Sequence, residues 1–252
     1  MKPIINLTNK TVLITGASSG MGRETARLVS SLGGNTILIA RREEKLRETL
    51  VCMSGINRIY PYDLSDINGI EELIQQVIGE NGPIDGFVHS AGVPGTRPLK
   101  MMKPDALRSI VNINFYSFYE ICRCITKDGN YHPGLSIVGI SSVSSKIGSR
   151  GKVAYAASKA AMDDYTNQVV TDYLDRGIRI NTICPGLIET DIFTAFKNNA
   201  GDSEDAKGKL DRQYLGLGKP IDVANLIVFL LSNASNTISG QNINVDGGML
   251  SS

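Results

Sequence analysis

The sequence predicts a single doubly wound α/β domain, a seven-stranded parallel sheet with helices on both faces. Three observations carry this expectation. Short apolar, β-branched runs alternate with longer segments of helical periodicity from the first residues onward. The runs are almost continuously apolar, as expected of parallel strands covered on both sides. The 252 residues, 42% hydrophobic and 20% charged, suit one large core, and no repeat or linker divides them.

The elements follow in order. TVLITG (11–16) is a strand ending in glycine. Met21, Ala26, Leu28, Val29 and Leu32 then recur at helical intervals until Gly33–Gly34 stops the helix. NTILIA (35–40) is a second strand, followed by a charged helix over about 43–53. The stretch 57–66 holds a third strand and a helix start, with Asp66 as the expected N-cap. Further strands fall in PIDGFVHSAG, GLSIVGISS and IRINTICPG, separated by long helices at about 104–127 and 152–175. The polar, glycine-containing segment 194–217 breaks the rhythm. It follows a strand's carboxyl end, where such sheets bind ligands, and reads as a substrate lid spanning about 188–217, or as a surface excursion.

Composition weighs against several functions. Twenty-six basic against 25 acidic residues leave a net charge of +1, with no electrostatic footprint for nucleic acid. Four cysteines without a CxxC pair, and only two histidines, predict buried thiols and no metal. The amino-terminal stretch lacks a signal-peptide pattern, and no apolar run reaches the roughly 18–20 residues of a membrane span. A cytoplasmic protein without membrane contact is expected.

TGASSGMG (15–22) joins the first strand to the first helix. Gly16 allows a tight turn, Gly20 lets backbone approach a pyrophosphate, and Gly22 permits close helix packing. Ser18, Ser19 and Met21 complete the expected cofactor-binding turn of a Rossmann-type βαβ unit. An acidic residue after the second strand would favour NAD(H); Arg41 and Arg42 stand there instead and suit the 2′-phosphate of NADP(H). Their alternative is a pair of solvated helix-entry arginines.

Tyr155 and Lys159 are four residues apart and can share a helix face. Hydride transfer to a carbonyl develops an alkoxide that needs a proton donor. An adjacent ammonium is expected to bring the tyrosine down from its usual pKa of about 10.

These motifs together resemble the single-domain short-chain dehydrogenases/reductases. The likeness runs through KTVLITGASSGMG, DLSD, HSAG, SIVGISSVSS, YAASKAA, INTICPGLIETD and NVDGG. It implies a catalytic set of Asn114, Ser142, Tyr155 and Lys159, with Lys159 also holding the nicotinamide ribose and Asn114 a proton-relay water. Asn112 competes with Asn114, and Ser141, Ser144 and Ser145 with Ser142. Asp63 and Leu64 resemble the pair that meets adenine, although Asp63 also reads as a turn cap. Ala91 and Gly92 match the backbone beside the cofactor ribose. Pro185, Gly186, Ile188 and Thr190 match the nicotinamide loop, with Thr190 alternatively a helix cap. The family's usual NNAG is HSAG here, where Ser90 puts one interstrand hydrogen bond in doubt and His89 reads as a satisfied core histidine.

Family members pair their two long helices across a dimer and commonly form tetramers. The alanines 154, 156, 157, 160 and 161 suit such close packing, and the ending GQNINVDGGMLSS resembles the terminal strand of the second contact. The implied function is an NADP(H)-dependent carbonyl reductase or alcohol dehydrogenase, most like 3-oxoacyl-[acyl-carrier-protein] reductases. The substrate is a small carbonyl or alcohol, free or carrier-bound. Sugar or small-ketone reduction, and a non-catalytic NADP(H)-binding regulator, are the alternatives.

Overall fold

A computed structural model describes residues 5–191, 193–194, 208 and 210–251. Its strands are β1 (Thr11–Thr15), β2 (Asn35–Ala40), β3 (Asn57–Pro61), β4 (Ile84–His89), β5 (Tyr131–Ile140), β6 (Arg179–Pro185) and β7 (Gln241–Val245). They form one seven-stranded sheet in the order β3-β2-β1-β4-β5-β6-β7, and every pair is parallel. The helices are α1 (Gly20–Ser31), α2 (Glu43–Leu50), α3 (Ile70–Asn81), α4 (Pro104–Val111), α5 (Ser117–Ile125), α6 (Val153–Tyr173) and α7 (Pro220–Leu231).

The period-two geometry of strands sends successive side chains to opposite faces, and the core divides accordingly. Leu13, Ile37, Phe87, Ile137 and Ile180 pack with α3, α5 and α6 on one face. Val12, Ile14, Leu38, Val88, Val138 and Ile183 pack with α1, α2 and α7 on the other. The inner strands β1, β2, β4 and β6 are therefore covered twice, which is why these runs carry apolar residues at both parities, while the edge strands β3 and β7 stay partly exposed. Strand order reverses between β1 and β4, and the crevice at that switch point lies beyond their carboxyl ends.

Four boundaries differ from the expectations. α2 stops at Leu50, because Cys52 adopts a left-handed backbone with φ of 70° and cannot continue the helix. α3 begins at Ile70; Asp66 instead accepts a hydrogen bond from the Gly69 amide at 3.4 Å, closing a turn before the helix. β5 reaches back to Tyr131, where an irregular register lets it pair with Ile84. The first long helix is interrupted by a π-helical turn over Asn112–Tyr116, between α4 and α5. Of the segment expected to act as a lid, residues 195–207 and 209 lie outside the described residues, as does Ile192.

Candidate active site

The glycine turn is built as the residue types require. Gly16 has φ of 67°, and a Cβ there would lie 2.7 Å from the backbone of Ser90 and Ala91. The turn after β1 can thus touch the segment after β4 only through glycine. A Cβ on Gly22 would meet the Gly16 carbonyl oxygen at 2.5 Å, so this glycine lets α1 close onto the turn itself. Ser19 leads into α1 with extended backbone and no side-chain cap, leaving the first helical amides to an anion.

A cleft opens beside this turn. Gly16, Ser18, Ser19, Gly20 and Met21 form one wall; Arg41, Arg42, Asp63 and Leu64 form the far end; Ala91, Gly92 and Thr190 close the near end. Arg42 reaches to 3.5 Å of the Ser18 hydroxyl, and Arg41 lies 3.8 Å from the Asp63 carboxylate. Asp63 also accepts a hydrogen bond from the Ser65 amide at 3.0 Å, so the turn-cap reading of this residue holds as well. That bond and the nearby Arg41 charge keep its carboxyl below the usual range. The glycine cradle, the open amides and two guanidiniums at the far end fit a dinucleotide carrying a 2′-phosphate.

A second cavity adjoins the first. Ser142, Tyr155, Pro185, Gly186, Ile188 and Thr190 all lie on its wall, and Met21 and Thr190 border both spaces. Ser142 ends the β5 segment and caps a short 3-10 turn, its Oγ accepting from the Ser144 amide at 3.1 Å. Burial pushes the Tyr155 phenol up, and the Ser142 hydroxyl pulls the other way. The lowering expected from Lys159 is not seen: burial, opposed by the Ser142 hydroxyl, sets the direction for Tyr155. The Lys159 Nζ is 5.9 Å from the ring centroid and donates to the Ile140 carbonyl at 2.6 Å. Burial brings Lys159 itself down to about 8, opposed by the charge of Asp163.

Three expected site residues lie behind the walls rather than on them. Gly22 is under the turn, and Lys159 sits below Gly92, where a Cβ would come within 3.6 Å of its Nζ. Asn114 is buried in the π-helical turn; its Oδ1 accepts from Val93 N at 2.8 Å, while its Nδ2 donates to Val93 O at 3.1 Å and Ser158 Oγ at 3.0 Å. The amide thus clamps the loop after β4 at Val93, leaving no side-chain hydrogen for a relay water. Thr190 behaves as the alternative reading held, accepting from the Phe193 amide at 3.3 Å, while its methyl faces Gly20.

His89 is a satisfied core residue. Its Nδ1 lies 3.0 Å from the Thr15 hydroxyl and its Nε2 3.5 Å from the Ser117 hydroxyl. Burial, reinforced by the Lys159 charge, drives it down to about 3, so it stays neutral. Thr15 also accepts from the Ala91 amide at 3.3 Å, a tie between β1 and β4 that does not need an asparagine at position 90.

Sequence reasoning missed two residues. Gln213 is buried and holds the nicotinamide-type loop through Leu187, accepting from its amide at 2.7 Å and donating to its carbonyl at 2.9 Å. It lies in the irregular segment, where no periodic signal marks it. Asp163 is buried behind Lys159, and its four-residue spacing from that lysine was the available sign.

Residues 16–250 match the family described as enoyl-(acyl carrier protein) reductase. The 3-oxoacyl-[acyl-carrier-protein] reductase of Thermotoga maritima is 31% identical over 249 residues, covering 98% of this chain and 100% of the relative. This chain belongs to the short-chain dehydrogenase/reductase family. The corresponding Rickettsia conorii reductase is 32% identical over 247 residues, covering 98% and 99% of the two chains. Among solved structures, a putative NAD(P)-dependent gluconate 5-dehydrogenase from Beutenbergia cavernae, with bound NADP, superposes with a TM-score of 0.91 at 28% identity over the whole of both chains. An actinorhodin polyketide ketoreductase with NADPH gives 0.88 at 26% identity, covering 96% and 97%. As a short-chain dehydrogenase/reductase the protein is an oxidoreductase acting on CH–OH or C=O groups.

Proposed function

We propose that the protein is an NADPH-dependent ketone reductase, with a 3-oxoacyl thioester as the favoured substrate class. One observation carries the reading: the Ser142 and Tyr155 hydroxyls share the wall of a cavity that opens onto the dinucleotide cleft. Met21, Pro94, Val143, Ile147, Leu187 and Ile188 line the same cavity, and among the described residues no carboxylate does. These apolar side chains suit an acyl chain, with Ser141, Ser144, Ser149 and Lys152 standing on the same wall. Two neighbouring hydroxyls that can both donate to one oxygen suit a carbonyl rather than the carbon–carbon double bond that the matched family description would imply.

Bound in the cleft, NADPH supplies the hydride. Arg41 and Arg42 would hold its 2′-phosphate, the Gly16–Gly22 turn its pyrophosphate, and the loop at Pro185, Gly186, Ile188 and Thr190 its nicotinamide end. Ser142 donates a hydrogen bond to the substrate oxygen. Tyr155, which holds its proton because burial raises it, donates that proton as the alkoxide forms. The Lys159 ammonium stabilises the phenolate left behind. Asn114 fixes the loop after β4 that closes the cleft.

We read the chain as one domain, cytoplasmic, without nucleic-acid partners, that assembles as a homotetramer or homodimer. Exposed Leu107, Tyr116 and Tyr119 on and between α4 and α5, and Val153 on α6, support pairing through these helices. Lys152 on the cavity wall favours a second reading, a ketone carrying a carboxylate, such as the sugar acid named for the Beutenbergia relative.

The test is a carbonyl panel run with NADPH and NADH, including a 3-oxoacyl thioester, small ketones and keto sugar acids. Thioester turnover with NADPH is expected, and Tyr155→Phe should abolish it while NADPH still binds. Near-normal turnover by Tyr155→Phe would sink the mechanism. Tight NADPH binding with no turnover of any substrate would point to a regulator instead.

A further inference from the structure

Asp163 stands on α6 one helical step beyond Lys159 and two beyond Tyr155, so the three share a face. It is only 7% exposed. Its Oδ2 lies 2.6 Å from Ser145 Oγ, whose single proton is shared with the Ser142 carbonyl at 2.7 Å, and its Oδ1 accepts from Thr182 Oγ1 at 2.7 Å, with the Cys184 thiol 3.7 Å from Oδ2. Burying a carboxylate costs several kcal/mol, and an apolar residue of similar volume would join helix to strand at lower cost. The charge therefore calls for a reason beyond packing.

Two links lead from this carboxylate to the reacting groups. Ser145 donates its backbone N–H to the Ser142 carbonyl at 3.0 Å, so the hydroxyl held by Asp163 belongs to the turn that carries Ser142. The other link is electrostatic, through the buried ammonium of Lys159. We propose that Asp163 is a positioning residue of the active site, fixing the Ser142 turn through Ser145 and keeping Lys159 in its ammonium form. This rests on the reading of Ser142, Tyr155 and Lys159 as the catalytic set.

The other titratable groups facing the pair are His89 on β4, Cys184 on β6 and Tyr155 on α6, with Lys146 and Lys152 at the rim. Burial holds His89 neutral and pushes the Cys184 thiol up. Asp163 is thus the anion that opposes the desolvation of Lys159, which stands at about 8. Without that charge the lysine deprotonates at lower pH, and the loss of activity on the alkaline side begins earlier.

The experiment is the pH profile of kcat and kcat/KM for Asp163→Asn, together with the pH dependence of NADPH binding followed by fluorescence. The alkaline limb should move toward acid by about one pH unit, the lower end of the effect of a nearby opposite charge. Asp163→Ser, which removes the charge and keeps a hydroxyl for the Ser145 and Thr182 partners, makes the same test if the asparagine variant does not fold. Ser145→Ala should lower kcat about tenfold with the limb in its wild-type place, as expected when one positioned donor is disturbed and the charge is kept. A limb that stays put in the charge-free variant, even with reduced kcat, would show a purely structural aspartate and overturn the proposal, as would unchanged kcat in Ser145→Ala. If the wild-type protein reduces no carbonyl, the catalytic reading fails, and the alkaline dependence of NADPH binding still decides the role of Asp163 toward Lys159.

Discussion

Replacing Lys159 by methionine should abolish turnover and yet stabilise the cofactor-free fold at neutral pH. The lysine is 3% exposed, and burial lowers it from an ordinary 10.5 to about 8. At about 1.4 kcal/mol per unit, holding the ammonium in the fold costs ~3 kcal/mol at pH 7. Methionine removes that cost but leaves the Ile140 carbonyl without its 2.6 Å donor, an opposing loss of roughly 1–3 kcal/mol. The expected net gain at pH 7 is therefore small, about 1 kcal/mol. The pH dependence is the stronger observable. Because the folded value lies below the unfolded one, the unfolded chain binds more protons between about 8 and 10.5, and wild-type stability rises across that window. Methionine has no such term, so its advantage should shrink by about 2 kcal/mol between pH 7 and pH 10 and reverse sign. Urea unfolding at the two pH values measures this. A difference between variant and wild type that is the same at both would refute the account of Lys159 as a buried ammonium retained for function.

Two further outcomes follow from the cleft. Arg41→Ala and Arg42→Ala should each weaken NADPH binding about tenfold, in line with one solvent-screened charge-assisted contact, and leave NADH binding within about twofold; equal losses for both cofactors would place the 2′-phosphate elsewhere. Gly22→Ala gains about 1 kcal/mol of helix propensity, but its Cβ would lie 2.5 Å from the Gly16 carbonyl oxygen. A lowered melting temperature and weakened NADPH binding are expected, and a rise in melting temperature would contradict the packing described for this turn.

Much of this protein was legible before folding, for physical reasons that differ between its parts. The sheet was readable because its inner strands are buried on both faces, and double burial leaves uninterrupted apolar runs that periodicity detects. The dinucleotide turn was readable because backbone geometry admits only glycine at positions such as Gly16, with φ of 67° and backbone within 2.7 Å of its missing side chain. Tyr155 and Lys159 were readable because helical spacing is local.

What only the tertiary structure decided involves groups brought together from distant parts of the chain. No glycine or proline marks the π-helical turn at Asn112–Tyr116; it presents the Asn114 side chain to Val93, 21 residues away, where it clamps the loop after β4. Gln213 meets Leu187, 26 residues earlier, from a segment with no periodic signal. Whether Tyr155 is lowered by its lysine or raised by burial depends on the surrounding dielectric, which chain spacing does not encode. Sequence alone determined which chemical groups the protein carries and which local backbone they require; burial and long-range contact decided which of them keep their charge, hold one another in place, or face the reacting carbon.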